Sequence, residues 1–214
     1  ESTYGSRNHE RHTDTIEVLA ELIENTLSRG GNVVIPSFAI GRTQELLYAI
    51  REIKQRKLVK NMDFPVYVDS PLAIEATEIF SKCDPACFDD ETRKLIDDGI
   101  DPIRFDGLRL SVTVEDSKRI NETLEPKVIL SASGMCEAGR IRHHLKHNLW
   151  RPQNLILFVG YQAEGTLGRN LIEGVQNVRL FGEDIAVRAQ IKSLKGTSGH
   201  ADQQGLISWL ESFE

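Results

Sequence analysis

Long apolar runs are missing from this 214-residue sequence. No stretch approaches the roughly 18 consecutive apolar residues that a membrane-spanning helix needs, and no signal peptide is visible. Cysteine is scarce: Cys83, Cys87 and Cys136 are an odd set without regular spacing. That argues against a disulfide framework and suits a reducing, cytoplasmic setting. An excess of basic residues is missing too. A formal net charge of -6 argues against wholesale electrostatic binding of nucleic acid, while leaving room for a local basic cleft. Neither GxxxxGK[ST] nor GxGxxG occurs, which weakens any nucleotide-cofactor reading. Sequence repeats and low-complexity tracts are absent as well.

What is present is the pattern of a folded chain. At 40% hydrophobic and 27% charged residues it reads as a soluble globular protein able to bury a core. The length is that of one ordinary domain, or one domain with pieces of a neighbour. In DTIEVLAELIENTL, residues Ile16, Leu19, Ala20, Ile23 and Leu27 recur at helical spacing. Asp14 and Glu17 resemble a capping box, and Gly30-Gly31 ends the helix. NVVIPS is then a short buried strand. The alternation repeats with helices in TQELLYAIREIKQR, LAIEATEIF and AGRIRHHLKHNL, and strands in PVYVDS, KVILSAS and NLILFVG. Strands alternating with helices predict an α/β fold with a mainly parallel, doubly wound sheet. The segment from Cys83 to Arg119 is the least regular, with DDETRKLIDDG as a polar surface helix. AVRAQIKSLKGTS reads as one long strand with a wetter face, followed by a helix in GHADQQGLISWLESF. A domain change is expected near Phe181–Asp184.

In an open parallel sheet, ligands bind beyond the carboxyl ends of the strands. Four strands here end in small polar turns: IPSFAIGR, VDSPLA, SASGMCEAGR and VGYQAEGTLGR. Ser and Gly let the backbone approach an anion, and helix N-termini offer free N–H groups. Arg42, Arg140 and Arg169 can each grip a phosphate by two prongs. Together these turns predict a phosphate-lined groove, with Ser37, Ser70, Ser133, Gly134 and Gly165 beside those arginines. Ordinary αβ turns with surface arginines explain the same pattern equally well. His143 and His147 share a helix face and could by spacing hold zinc. No HExxH glutamate and no Cys pair completes such a site, so the expectation is that His143 or His144 lines the groove or that the cluster is a solvated face. CDPAC reads as two semi-buried thiols.

ESTYG, PSFAIGRTQELL, VDSPLA, SASGMCEAGRIRHHLKH, GYQAEGTLGR and SGHAD follow one another in that order. This set resembles the beta-CASP group of metallo-β-lactamase-fold nucleases, in particular bacterial and archaeal relatives of the pre-mRNA 3′-end cleavage endonuclease subunit. The resemblance implies hydrolysis of RNA phosphodiester bonds by two zinc ions. It implies RNA gripped between a metallo-β-lactamase domain and an inserted beta-CASP domain. The family's HxHxDH metal motif is absent from these residues. The expectation is therefore a fragment: residues 1–12 leaving a metallo-β-lactamase domain, 13–182 the beta-CASP domain, and 183–214 a returning strand and helix. Its missing partner is the rest of that catalytic domain; no zinc and no nuclease activity are expected in the fragment alone.

The resemblance also implies a catalytic pair. His200 matches the family's histidine motif and Glu1 its acidic motif. An imidazole can protonate the leaving ribose oxygen, and a carboxylate can orient it and raise its pKa. Two other readings stay open: a non-catalytic RNA-binding scaffold, and a small-molecule hydrolase or phosphatase of the wider fold. Several spaced phosphate-type turns favour a polymer. Endonuclease or exonuclease action, RNA over DNA, and the oligomeric state, a homodimer included, stay undecided by sequence.

Overall fold

Alternate residues of the short apolar strands point to opposite faces of one sheet, and that alternation sets the architecture. The computed structural model describes residues 2–8, 15–194 and 199–213. Its strands are β1 (Val33–Pro36), β2 (Val66–Val68), β3 (Leu108–Leu110), β4 (Val128–Ser131), β5 (Leu155–Phe158), β6 (Asn177–Leu180), β7 (Glu183–Ala186) and β8 (Gln190–Ser193). Its helices are α1 (Thr15–Leu27), α2 (Arg42–Gln55), α3 (Pro71–Phe80), α4 (Asp90–Asp97), α5 (Val114–Glu122), α6 (Ile141–Asn148), α7 (Leu167–Ile172) and α8 (Gln203–Glu211). Six strands form one sheet in the order β3-β2-β4-β1-β5-β8, and β6 and β7 form a separate hairpin. Every pairing in the six-stranded sheet is parallel.

Val33, Ile35, Val128, Leu130, Leu155 and Leu157 face one core, closed by Leu19 and Ile23 of α1, Leu47 and Ile50 of α2, and Ile74 of α3. Val34, Ile129, Ile156 and Phe158 face a second core, closed by Ile120 of α5, Ile141 and Leu145 of α6, and Leu171 of α7. The result is the expected doubly wound α/β sandwich. The strand–helix reading locates all five principal helices from α1 to α6 other than α5. DDETRKLIDDG is the polar helix α4, with no buried residue. The Asp14 cap lies outside the described residues.

The run AVRAQIKSLKGTS is not one strand. Val187 N donates to Gln176 O, while Arg188 N and Ala189 N both donate to Leu149 O, so the chain steps from the β6–β7 hairpin to the edge of the large sheet. There β8 pairs with β5. The strand beyond the expected change near 181–184 thus continues the same sheet, because β5 would otherwise present an unpaired edge. No helix among the described residues is long and apolar enough to cross a membrane.

β1 is followed by α2 on one face, and its neighbour β4 by α6 on the other. Adjacent strands whose connections leave in opposite directions open a crevice at their carboxyl ends. Ile129, fully buried in the second core, tests this layering. Ile129→Ala should cost about 2–5 kcal/mol. Leu124→Ala, at a residue 85% exposed, should change stability by less than about 0.5 kcal/mol. Urea unfolding of both variants measures the difference.

Candidate nucleic-acid interface

The turns after β1, β4 and β5 meet at the crevice and are stitched to one another. The buried Gln162 amide nitrogen donates to Gly134 O at 3.0 Å and Tyr161 O at 3.1 Å. Gly168 N donates to Met135 O at 3.1 Å. Between these turns lies a cleft of about 310 Å³, lined by Ser37, Phe38, Arg42, Gly134, Tyr161 and His200 among others. The structure therefore brings together four residues singled out from sequence: Ser37, Arg42, Gly134 and His200. His200 reaches the cleft because the segment carrying it is tied to the other end of the chain. Tyr4 bridges Asp202 in parallel fashion, Gln203 N donates to Arg7 O, and Gln204 N donates to Asn8 Oδ1 at 3.0 Å. Tyr4 and His200 lie with ring centroids 6.3 Å apart. Glu1 lies outside the described residues.

The other candidates have settled partners. Ser37 is buried, its hydroxyl 2.9 Å from Thr43 Oγ1. Ser70 caps α3 by accepting from Ala73 N. Ser133 Oγ accepts from Ala138 N. Arg42 pairs with Glu45 one turn along α2. Arg169 donates from Nε to Glu173 at 2.6 Å, and neither it nor the exposed Gly165 lines this cleft. Arg140 spends its fork inside the protein: Nη1 donates to Asp69 Oδ1 at 2.7 Å and Ser111 O at 3.0 Å, and Nη2 to Val112 O at 2.9 Å. Its role is to hold the turn after β3 against the turn after β4. Gly139 precedes it at φ +82, where a Cβ would come within 2.6 Å of Ala132 O, so only glycine fits this tight return.

Asp69, at the end of β2, is the partner that sequence reasoning passed over in VDSPLA. It is fully buried. Besides Arg140 it receives Ser117 Oγ at 2.6 Å and faces His144 Nε2 at 2.6 Å. Burial pushes its carboxyl up, but the bonds from His144 and Ser117 outweigh that and hold it at about 2. His144 is the buried histidine of the doublet, with Nδ1 3.0 Å from Asn121 Oδ1. His143 instead faces outward and stacks on Phe181 at 4.3 Å. Burial and the neighbouring His144 and Lys146 hold His143 below the usual imidazole range, which disfavours the charged form. It lines a second recess of about 280 Å³ with Arg140, Lys118 and His147. The helix period could have separated the two: Ile141, His144, Leu145 and Asn148 form the buried face of α6.

The Beta-Casp domain profile matches residues 43–171, well over half of the chain. This chain belongs to the beta-CASP family. A second profile, described as the Zn-dependent metallo-hydrolase RNA specificity domain, matches residues 184–214. The beta-CASP chain is 40% identical over 211 residues to Ribonuclease TTHA0252 of Thermus thermophilus, covering 99% of this chain and 48% of that protein. It is 32% identical over 217 residues to Transcription termination factor FttA of Thermococcus kodakarensis, covering 98% of this chain and 33% of that protein. The FttA of Methanothermobacter thermautotrophicus is 34% identical over 223 residues, 99% of this chain and 34% of that protein. The chain thus spans about half the length of the ribonuclease and about a third of the termination factors.

Asp69 supplies the prediction. Its carboxyl is held below the ordinary 3.8 at about 2 in the folded chain. Its contribution to stability is complete above the ordinary value and is lost as pH falls toward about 2. Asp69→Asn should leave the half-buried Arg140 guanidinium without its counter-charge and His144 without its carboxylate partner, costing up to about 3–5 kcal/mol at neutral pH. It should also flatten the fall of stability within that acid window. Unfolding midpoints of both proteins across pH measure this.

Proposed function

We propose that this chain is the RNA-clamping part of a zinc-dependent ribonuclease that hydrolyses phosphodiester bonds. In this reading residues 13–182 are the beta-CASP domain, while 1–12 and 183–214 lead out of and back into a metallo-β-lactamase domain, with β8 of the returning segment laid along the beta-CASP sheet. One observation carries it: Arg42 and His200 converge on a single strand-end cleft in a chain whose relatives include a protein named a ribonuclease. Arg42, exchanging Glu45 for a phosphate, grips the strand without reading its sequence. His200 protonates the leaving ribose oxygen, with Glu1 as its orienting carboxylate.

Zinc is named in the description of the family matching the C-terminal segment. Among the described residues no three His, Cys, Asp or Glu side chains come together as a metal site. These residues do not fit the two ions by themselves, so in this reading the zinc ligands lie on other parts of the whole protein. The chain alone is proposed to be inactive.

The test uses the whole protein that carries this chain, in single-turnover cleavage with zinc measured on each variant. His200→Ala should slow cleavage by about 10²–10⁴-fold with RNA affinity and zinc content near normal. A normal rate would end the proton-donor role, and loss of zinc would make His200 a ligand. Binding without any cleavage by the unmodified protein would favour the non-catalytic scaffold. Arg42→Ala should weaken RNA of every sequence about equally. With few phosphate contacts, affinity should fall between 50 and 200 mM salt by less than the ~10³–10⁵-fold typical of 6–10 contacts.

A further inference from the structure

Two large aromatic side chains stand half exposed in the strand-end cleft, Phe38 at 51% and Tyr161 at 44%. They come from the turns after β1 and β5, which are neighbours in the sheet. We propose that Phe38 and Tyr161 form a stacking platform that seats one unstacked nucleobase of the RNA. The proposal rests on the RNA reading above and adds a residue-level account of how the strand is held.

Phe38 is fixed before any ligand arrives. Its carbonyl accepts from Thr43 Oγ1 at 2.7 Å and from Thr43 N at 3.3 Å. One part of its ring rests on the backbone of Gly134, where a Cβ would come within 3.2 Å of Cδ2 and Cε2. A larger residue at 134 would push the ring away, so the glycine seats the phenyl group as well as shortening the turn. The Tyr161 carbonyl accepts from the Gln162 amide nitrogen, which holds the backbone of its turn. A ring already seated on its support loses little entropy on binding.

The surroundings select a base. Among the described residues the cleft offers Arg42 and His200 beside the rings and no acidic side chain in its lining, in a chain of net charge -6. A volume of about 310 Å³ lies near the lower end of the roughly 300–1,000 Å³ of small-ligand sites. That suits one extruded nucleotide. Every base has a π-face, so stacking here holds RNA without choosing its sequence.

The experiment measures binding of the full chain to a short oligoribonucleotide and to the same strand with abasic sugars, by fluorescence anisotropy. Phe38→Leu and Tyr161→Leu keep apolar bulk and remove the ring. Each should weaken the base-bearing strand by about 5- to 150-fold, the range for loss of one stacked base, while leaving the abasic strand unchanged. The unmodified chain should itself prefer the base-bearing strand. Equal affinity of the Leu variants and the unmodified chain for that strand overturns the platform while leaving RNA binding intact. If the Leu variants lose thermal stability instead of base preference, the rings are packing elements and the proposal fails. If the unmodified chain binds neither strand, both the platform and the RNA reading fail. Gly134→Ala, which displaces Phe38 without removing it, should reproduce part of the Phe38→Leu loss, and its failure to do so counts against the seating.

Discussion

A single buried carboxylate organises the functional end of the sheet. Asp69 receives Arg140, Ser117 and His144 together, and each of these groups belongs to a different turn or helix around the crevice. Through Arg140 the carboxylate also fixes Ser111 and Val112 after β3. Through His144 it anchors α6, whose far end is held by Asn148 against Asn32 and Asn154. A buried charge left alone is strongly unfavourable, so this centre tolerates one arrangement of its neighbours. The turns after β3 and β4 inherit that rigidity, and the cleft beside them is shaped before it meets a ligand.

Much of this was legible from the chain. Short β-branched runs separated by amphipathic helices led directly to the parallel sheet, because burial on both faces leaves no other use for continuous apolar strands. Strand-end turns located the crevice, since parallel topology puts every such turn on one rim. Individual roles were less legible. Ser70 looks like a phosphate ligand in sequence, but a serine before proline at a helix start is equally an N-cap. Arg140 looks like a surface cation, but its partners lie far away in sequence, at Asp69 and Ser111. His143 and His144 are neighbours in sequence and opposites in the fold, and only the apolar stripe of α6 tells them apart. Helix α5 carried a readable signal in its Thr113–Asp116 capping box, within a segment otherwise too polar to show a period. The break between β7 and β8 was not readable, because alternation continued through residues that cross from hairpin to sheet.

The cleft joins two kinds of chemistry. Arg42 and His200 address charge, and Phe38 and Tyr161 address flat apolar surface. That combination suits a single-stranded nucleic acid, whose backbone and bases present both along one path. It also fits an acidic chain holding a polyanion: the attraction is local, and among the described residues no acidic side chain lines the cleft. The contacts between residues 2–8 and 200–204 place His200 at the rim of the same cleft and not on a remote surface.

The most direct measurement is photocrosslinking of the chain to a single-stranded RNA carrying 5-iodouridine, with the attached peptides identified by mass spectrometry. A strand-end interface requires crosslinks within residues 36–42, 133–137, 159–162 and around His200. Crosslinks confined to the opposite end of the sheet, near Gly31, Lys127 or Asn154, or to the polar helix α4, would contradict it.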